Sequence, residues 1–398
     1  MTHRPALGDD PIANHRLLQE VLDSRPPGKL ELPTGRWRLA EGLRVPGGWT
    51  IRGAGPGLPA TPAPAAPVTP TPAPATPAPA TPTPAPAPAT PAPAAPATPA
   101  AAVAIAAAVA PTVAVARISD ISDSSESGAT WLESESRTGH PVLHVIGSGV
   151  SISDLALRPA PSDPGEHGGD RGTGLTIGEY LYTETPDWVS DVDVRRVRVD
   201  HGALRTANAI GVMGAVREIT LHEVSVTGGY TAVAVHWGAV GADVSSITGP
   251  TYHPNHLTLT DLRVRDAIEG FYLSSIHDVR VTGACLRDVE MGFRLLPGDN
   301  TNRFVSSSED VGARVEISDV CVRWTGPRYA VRIAGWGKSE VDGVVSVLAY
   351  RNCLIHDVRL AGTGTGESWS PVLFERAVGV DLRDVAVTTI ADSCCRLA

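Results

Sequence analysis

The richest cluster of side chains that could do chemistry lies in one stretch near the middle of the chain. His236 and Trp237 are followed by a long irregular segment that contains Tyr252, His253 and His256. Histidine and tyrosine can transfer protons near neutral pH, and tryptophan offers a flat apolar surface to a ligand. We therefore expect His236 and His253 to be catalytic, and Trp237, Tyr252 and His256 to bind substrate. The alternative is a loop held together by its own aromatic and imidazole rings.

A second set of polar and aromatic residues follows. Aligning Tyr230 with the aromatic residues of two later Gly-Phe pairs places Thr231, Tyr272 and Arg294 on one face. We expect Tyr272 and Arg294 to be catalytic, as hydrogen-bond donors to a carbonyl or leaving oxygen. Five more residues in or near breaks in the repeat are expected to bind substrate: Asp299, Arg303, Tyr329, Trp336 and Lys338. The alternative for the charged members is a network of surface ion pairs.

Around these residues the chain repeats a short pattern: an apolar residue, any residue, an acid, Val or Leu, any residue, and Val or Leu. The acid positions are Asp154, Glu223, Asp261, Asp319, Asp357 and Asp384. Alternation with period two in short repeats predicts a solenoid of stacked coils. A residue type that recurs at one register is structural, so we expect these acids to stabilise turns. The same interpretation applies to the neighbouring histidines, His222, His277 and His356.

The predicted fold class is all-β: a right-handed parallel β-helix of roughly ten coils, with coils about 4.8 Å apart. An N-terminal helix from Pro11 to Leu22, with Asp10 as its N-cap, is expected to cap it. That helix, the segment Leu32-Pro33-Thr34-Gly35-Arg36-Trp37, the glycine-rich Ile51-Arg52-Gly53-Ala54-Gly55 and the repeated pattern resemble the pectin-lyase-like superfamily. The resemblance implies a fold and a groove. It implies no single activity, because the superfamily includes polysaccharide lyases, hydrolases, epimerases and phage tailspikes.

One segment cannot belong to the solenoid. Residues 58–116 carry no charged side chain, and Pro59 to Ala100 hold 17 of the 35 prolines. This composition predicts a disordered or polyproline-like insertion. The expected division is therefore an N-terminal cap and first coil over 1–57, the insertion over 58–116, and the parallel β-helix over 117–398.

Composition narrows the function classes. The formal net charge is −10 and there is no basic block, which argues against nucleic acid as a partner. No apolar segment is long enough for a membrane span, and the start lacks a secretory pattern. The five cysteines form no metal-binding pair, so we expect reduced thiols, a cytoplasmic location and no metal or other cofactor.

Three functions are consistent with these features. The first is an intracellular enzyme, a cyclase, isomerase or carbon–oxygen lyase, that acts on a small, partly apolar metabolite. The second is a carbohydrate-active lyase or hydrolase whose partner is an oligosaccharide. The third is a non-catalytic scaffold. Homo-oligomers are compatible with each.

Overall fold

The computed structural model describes most of the chain outside the proline-rich segment. The described residues are 1–6, 8–54, 128–137, 140–160, 172–202, 205, 207–241, 247–297, 312–326, 329–334, 338–341, 344–347, 349–362, 371–375 and 377–388. The predicted insertion, Asp299, Arg303 and Trp336 lie outside them. No helix in this part of the chain is long and apolar enough to cross a membrane.

The helix α1 (Pro11–Asp23) closes the N-terminal end of the solenoid. The side chain of Asp10 accepts a hydrogen bond of 2.9 Å from the backbone N–H of Ile12, and proline occupies the first turn, as predicted. Leu18 and Leu22 have no exposed surface because they pack on the first coils. The predicted capping helix is therefore present.

Two long parallel sheets form the walls. Sheet 1 has nine strands in the described residues, one per coil: β4 (Leu43–Val45), β7 (Leu143–Val145), β9 (Leu175–Gly178), β12 (Ile210–Met213), β15 (Thr231–His236), β20 (Glu269–Leu273), β23 (Met291–Leu295), β25 (Val331–Ala334) and β30 (Val372–Glu375).

Sheet 2 has eighteen strands in the same part of the chain: β1 (Thr2–His3), β2 (Lys29–Glu31), β3 (Gly35–Leu39), β5 (Thr50–Arg52), β6 (Thr130–Ser134), β8 (Val150–Arg158), β11 (Val189–Asp200), β13 (Val216–His222), β14 (Ser225–Thr227), β18 (Asn255–Thr260), β19 (Arg263–Arg265), β21 (His277–Thr282), β22 (Cys285–Val289), β24 (Ala313–Trp324), β28 (Tyr350–Arg351), β29 (Leu354–Gly362), β31 (Ala377–Val378) and β32 (Asp381–Thr388). Five short strands lie in excursions from the coils: β10 (Leu181–Tyr182), β16 (Gly238–Gly241), β17 (Ile247–Tyr252), β26 (Lys338–Val341) and β27 (Val344–Val347).

The core is a stack of equivalent apolar residues from successive coils. In sheet 1, Val233, Phe271 and Phe293 are register neighbours and have no exposed surface. The two phenylalanine rings stack with centroids 4.7 Å apart and an interplanar angle of 1°. One-residue-per-coil stacking of this kind is what a parallel β-helix requires. The predicted fold class, a right-handed parallel β-helix with an N-terminal capping helix, is confirmed.

The recurring acid lies at a bend of the coils within sheet 2. The ladder places all copies in one column, and every one has a left-handed backbone: Asp154 (φ 59°), Glu223 (52°), Asp261 (55°), Asp319 (48°), Asp357 (53°) and Asp384 (50°). Aspartate adopts this region more readily than most residues because its short side chain bonds locally. The structural role expected for these acids is therefore confirmed.

The cysteines differ from expectation at one position. Cys321 is disulfide-bonded, so the prediction of reduced thiols is wrong for this residue. Disulfides are typical of oxidising compartments, which removes one reason for expecting a cytoplasmic location. Cys353 is a buried thiol, and burial raises its pKa to about 11.

Candidate active site

The outer face of sheet 1 brings together two of the predicted catalytic residues. Tyr272 and Arg294 are register neighbours on β20 and β23, and Arg332 on β25 is the next residue in the same row. The guanidinium carbon of Arg294 lies 4.1 Å from the centroid of the Tyr272 ring. Their predicted juxtaposition is therefore found.

The alignment that led to this juxtaposition was wrong for the preceding coil. Val233, and not Tyr230, pairs with Phe271, and Thr231 pairs with Glu269. The two glycines have different roles, which explains the error. Gly229 is a turn residue with φ 85°, whereas Gly270 lies inside a strand, where a Cβ atom would come within 2.6 Å of a backbone oxygen.

Glu269 completes the environment of Arg294, and sequence reasoning missed it. Its carboxylate has no exposed surface and accepts hydrogen bonds from Arg294 Nη2 at 2.9 Å and from Thr231 Oγ1 at 3.2 Å. In the next coil the same register holds Met291. The sequence did contain a signal for Glu269, namely an acid at a position where the neighbouring coil has an apolar residue.

Arg294 and Arg332 each have a hydrogen-bond donor without a partner among the described residues. Arg332 Nη2 bonds to Glu375 at 3.2 Å, as Arg294 bonds to Glu269. The Nε atoms of both arginines are buried and have no hydrogen-bond partner among the described residues. A buried N–H without a partner is costly, and adjacent guanidinium groups suit an anion. The row therefore offers a site for a carboxylate or another oxyanion.

His236 lies beside this row at the end of β15. Its Nδ1 is 2.8 Å from the carbonyl oxygen of Trp237, so Nδ1 carries the proton and Nε2 carries the lone pair. Its ring centroid is 4.8 Å from that of Tyr180 and 6.0 Å from that of Tyr272. A neutral imidazole with this tautomer can accept a proton at Nε2.

Ser274 is a second residue that sequence reasoning missed. It follows β20 directly, and its backbone N–H bonds to Val235, which makes it the register neighbour of His236. It has no exposed surface, and its hydroxyl has no partner among the described residues. The next residue, Ser275, has φ 54° at a corner where an earlier coil uses Gly214 (φ 75°). The signal in the sequence was Ser275, a serine at a corner where an earlier coil has glycine, directly after Ser274.

The structure places three residues of the cluster around His236 in surroundings that differ from those of a ligand-binding side chain. Trp237 has no exposed surface and packs against Tyr180, so it supports the site but presents no face to a ligand. The ring of His253 ties β17 to the corner after β20, through Thr251 Oγ1 at 3.2 Å and the carbonyl oxygen of Ser275 at 3.1 Å. His256 is exposed on β18 of sheet 2, whereas Tyr272 and Arg294 lie on sheet 1, so the structure does not bring it together with them.

The structure describes some of the remaining predicted residues but not all of them. Tyr252 lies at the end of β17, with its ring centroid 5.7 Å from that of Tyr182. Tyr329 is half-buried just before β25, and Lys338 begins the hairpin of β26 and β27. Their roles, like those of Asp299, Arg303 and Trp336, stay predictions. Among the described residues no three His, Cys, Asp or Glu side chains form a group that could hold a metal ion, and metal independence also stays a prediction.

Comparison with known proteins supports the fold. No family model and no curated protein matches the chain. Among solved structures, the N-terminal fragment of bacteriophage Phi29 gene product 12 matches with a TM-score of 0.51 and 10% identity, covering 95% of this chain. The match covers 56% of that phage chain, so this protein spans about half of it.

Two enzymes are more distant structural matches. An alginate lyase from Paenibacillus has a TM-score of 0.38 at 10% identity, covering 98% of this chain and 99% of that one. An exopolygalacturonase from Thermotoga maritima also has a TM-score of 0.38, at 11% identity, covering 99% and 97%. At such identities these comparisons show the fold alone. The β-helix fold that the pectin-lyase-like resemblance implied is present in this chain.

Proposed function

We propose that the protein is a carbon–oxygen lyase that cleaves an acidic saccharide by β-elimination on the outer face of sheet 1. The observation that carries this proposal is the pair of neighbouring arginines, Arg294 and Arg332, whose side chains are 21% and 32% exposed and whose Nε–H groups have no partner among the described residues. Such donors suit the carboxylate of a sugar acid. The imidazole of His236 stands beside them as a base.

Each residue has a defined part in this reaction. His236 Nε2 removes the proton from the carbon next to the carboxylate, while Arg294 stabilises the negative charge that builds up on the carboxylate oxygens and Arg332 helps to bind that carboxylate. The C–H electrons form a carbon–carbon double bond and the C–O bond to the leaving sugar breaks. Tyr272 gives its proton to the leaving oxygen, and water then restores the protonation of Tyr272 and His236.

The carboxylates on the outer face of sheet 1 favour elimination over glycoside hydrolysis. Hydrolases of glycosidic bonds use two carboxyl groups that flank the scissile bond. In the described part of the row, the two nearest carboxylates, Glu269 and Glu375, are each bonded to an arginine. They are therefore committed to orienting cations.

A second candidate is a carbon–oxygen lyase, cyclase or isomerase of a small, partly apolar metabolite. The burial of the site favours it, since His236 and Tyr272 are only 7% and 6% exposed. A narrow site could hold a small substrate by shape and a few hydrogen bonds.

Incubation with polygalacturonate and alginate separates these alternatives. Elimination creates a double bond conjugated to the carboxylate, which absorbs in the ultraviolet, whereas hydrolysis creates only new reducing ends. We expect the ultraviolet signal, also in the presence of EDTA. New reducing ends without that signal would show a hydrolase, and no reaction on any acidic saccharide would leave the metabolite alternative.

Variants then test the residues. We expect His236→Ala, Tyr272→Phe and Arg294→Ala each to lose about 100-fold or more in turnover, because each removes a preorganised group. The matched control is His356→Ala, a repeat-register histidine bonded to Asp357 on sheet 2. All variants are first shown to be folded by circular dichroism. If His356→Ala alone loses activity, the site lies elsewhere.

A further inference from the structure

The most deeply buried charge on the site wall belongs to Glu269. Its register neighbours are Thr231 and Met291, and its exposed fraction is 0%. Burying a carboxylate is costly unless it is paired and hydrogen-bonded. Both conditions are met here by Arg294 Nη2 and Thr231 Oγ1. A buried charge at a position that tolerates methionine calls for an explanation beyond packing.

The two arginines of the row differ in how firmly they are held. Arg294 bonds to the buried Glu269 and lies over the Tyr272 ring at 4.1 Å, so both the direction and the plane of its guanidinium are fixed. Arg332 bonds to Glu375, whose side chain is 49% exposed. An exposed pair of this kind restrains a side chain weakly. Arg294 is therefore preorganised, and Arg332 can adapt to a ligand.

We propose that Glu269 is a positioning residue that fixes the guanidinium of Arg294 for the transition state, an inference that rests on the proposed elimination. Preorganised donors act mainly on the rate of the chemical step, whereas adaptable donors contribute to substrate binding. Glu269 therefore controls kcat through Arg294. Glu375 acts through Arg332 and influences KM.

The positioning itself is measured without substrate, by NMR of the arginine side chains in the full-length protein. A guanidinium clamped by a carboxylate rotates slowly, so the Nη protons of Arg294 should give separate signals, identified by their absence in Arg294→Lys. We expect Glu269→Gln to merge these signals and Glu375→Gln to leave them unchanged. Unchanged Arg294 signals in folded Glu269→Gln would overturn the proposal.

Kinetics on the acidic saccharide gives the second readout. Glu269→Gln should lower kcat about 100-fold with little change in KM, since a small displacement of a catalytic group has an effect of this size. Glu375→Gln should raise KM and leave kcat near wild type. Combining Glu269→Gln with Arg294→Lys should cost little more than either change alone. Independent, multiplying effects would mean that Glu269 does not act through Arg294.

Failure of the positioning role and failure of the proposed reaction give different results. If the NMR signals respond as expected but no acidic saccharide is cleaved, the proposed reaction fails and the positioning contact stands. If saccharide is cleaved and Glu269→Gln turns over like wild type, the positioning role alone fails. Should Glu269→Gln not fold, Thr231→Val removes one hydrogen bond from the same carboxylate and should shift kcat in the same direction by a smaller factor.

Discussion

At the scale of single residues, Asp278 shows how the outer face of sheet 2 is stabilised. It has a left-handed backbone (φ 56°), and its carboxylate accepts hydrogen bonds from Arg314 Nε at 2.6 Å and Nη2 at 2.9 Å. These bonds, with a further one from His277, hold the pKa of Asp278 well below its usual range. The charged form is thus favoured in the folded protein.

This lowered pKa makes a pH-dependent contribution to the free energy of unfolding. A group with a lower pKa in the folded state stabilises it above the unfolded-state pKa, about 3.9 for aspartate, and the contribution is lost as pH falls below that value. We expect Arg314→Ala to cost about 0.5–1 kcal/mol at pH 7, the range of a partly exposed ion pair. Urea unfolding at pH 7 and near pH 3 measures the cost, which should shrink at the lower pH.

A control variant and a contradicting result sharpen the prediction for Arg314→Ala. Arg383→Ala is the control, because Arg383 pairs with Asp381 where both side chains are about half exposed, at 65% and 49%. It should cost less at either pH. An equal cost for Arg314→Ala at both pH values would mean that the Asp278 carboxylate is not the group involved.

The residues of the candidate site were only partly predictable from sequence. Tyr272 and Arg294 could be paired because both follow a Gly-Phe pair, which marks a strand position. Glu269 and Ser274 could not be found by the same pattern, because each departs from the residue type that another coil uses at its position. Such departures are weak signals in the sequence until the register is known, and register is set by contacts between distant coils.

At the scale of elements, the left-handed corner of each coil is the feature that sequence predicted best. The acid recurs because the corner needs a residue that tolerates positive φ, and Gly283 (φ 70°) occupies the same column in another coil. The strand boundaries and the division into two sheets depend on such corners. They could not be assigned from alternation alone, since strands on both sides of a corner have the same period.

Substitution at this corner gives a prediction. Asp319 (φ 48°) is exposed, so changes there affect the backbone more than the core. We expect Asp319→Val to destabilise the protein by about 1–2 kcal/mol, because a β-branched residue is strained in the left-handed region. Asp319→Gly should stay within about 0.5 kcal/mol of wild type, since glycine adopts positive φ without a steric penalty. Urea unfolding measures both.

A comparison inside the same strand isolates the backbone effect. Glu316 lies on β24 in a half-buried position that does not have positive φ. Valine is well suited to such a strand position, so Glu316→Val should cost less than Asp319→Val. If Asp319→Val and Asp319→Gly have the same stability, backbone strain is not what the acid relieves.

At the scale of the whole molecule, the first and last of the described coils differ. The helix α1 covers the first coils, whereas Leu382, Val385 and Val387 on the last described strand are only half-buried. Their register neighbours one coil below, Ile355, Val358 and Leu360, are 1–2% exposed. Apolar residues therefore continue to the C-terminal end of the described coils. The expectation of a homo-oligomer is compatible with this and stays a prediction.

The described residues on either side of the proline-rich segment contact each other. The backbone N–H of Ala54 bonds to Thr130 Oγ1 at 2.9 Å, and the same hydroxyl bonds to the carbonyl oxygen of Pro33 at 3.0 Å. The chain on both sides of the segment is thus already joined by the fold. The two ends do not depend on residues 58–116 for their position.

We therefore expect deletion of residues 58–116 to leave stability and activity nearly intact. The deletion shortens the connection between Ala54 and Gly128 from 73 residues (55–127) to 14, because 73 − 59 = 14. Loop-closure entropy falls by about 0.6 kcal/mol for each halving, so the variant should be as stable as wild type or more stable by about 1–1.5 kcal/mol. Thermal melting followed by circular dichroism measures this. A melting temperature several degrees below wild type would show that the segment packs on the coils, and loss of turnover at unchanged stability would give it a part in the site.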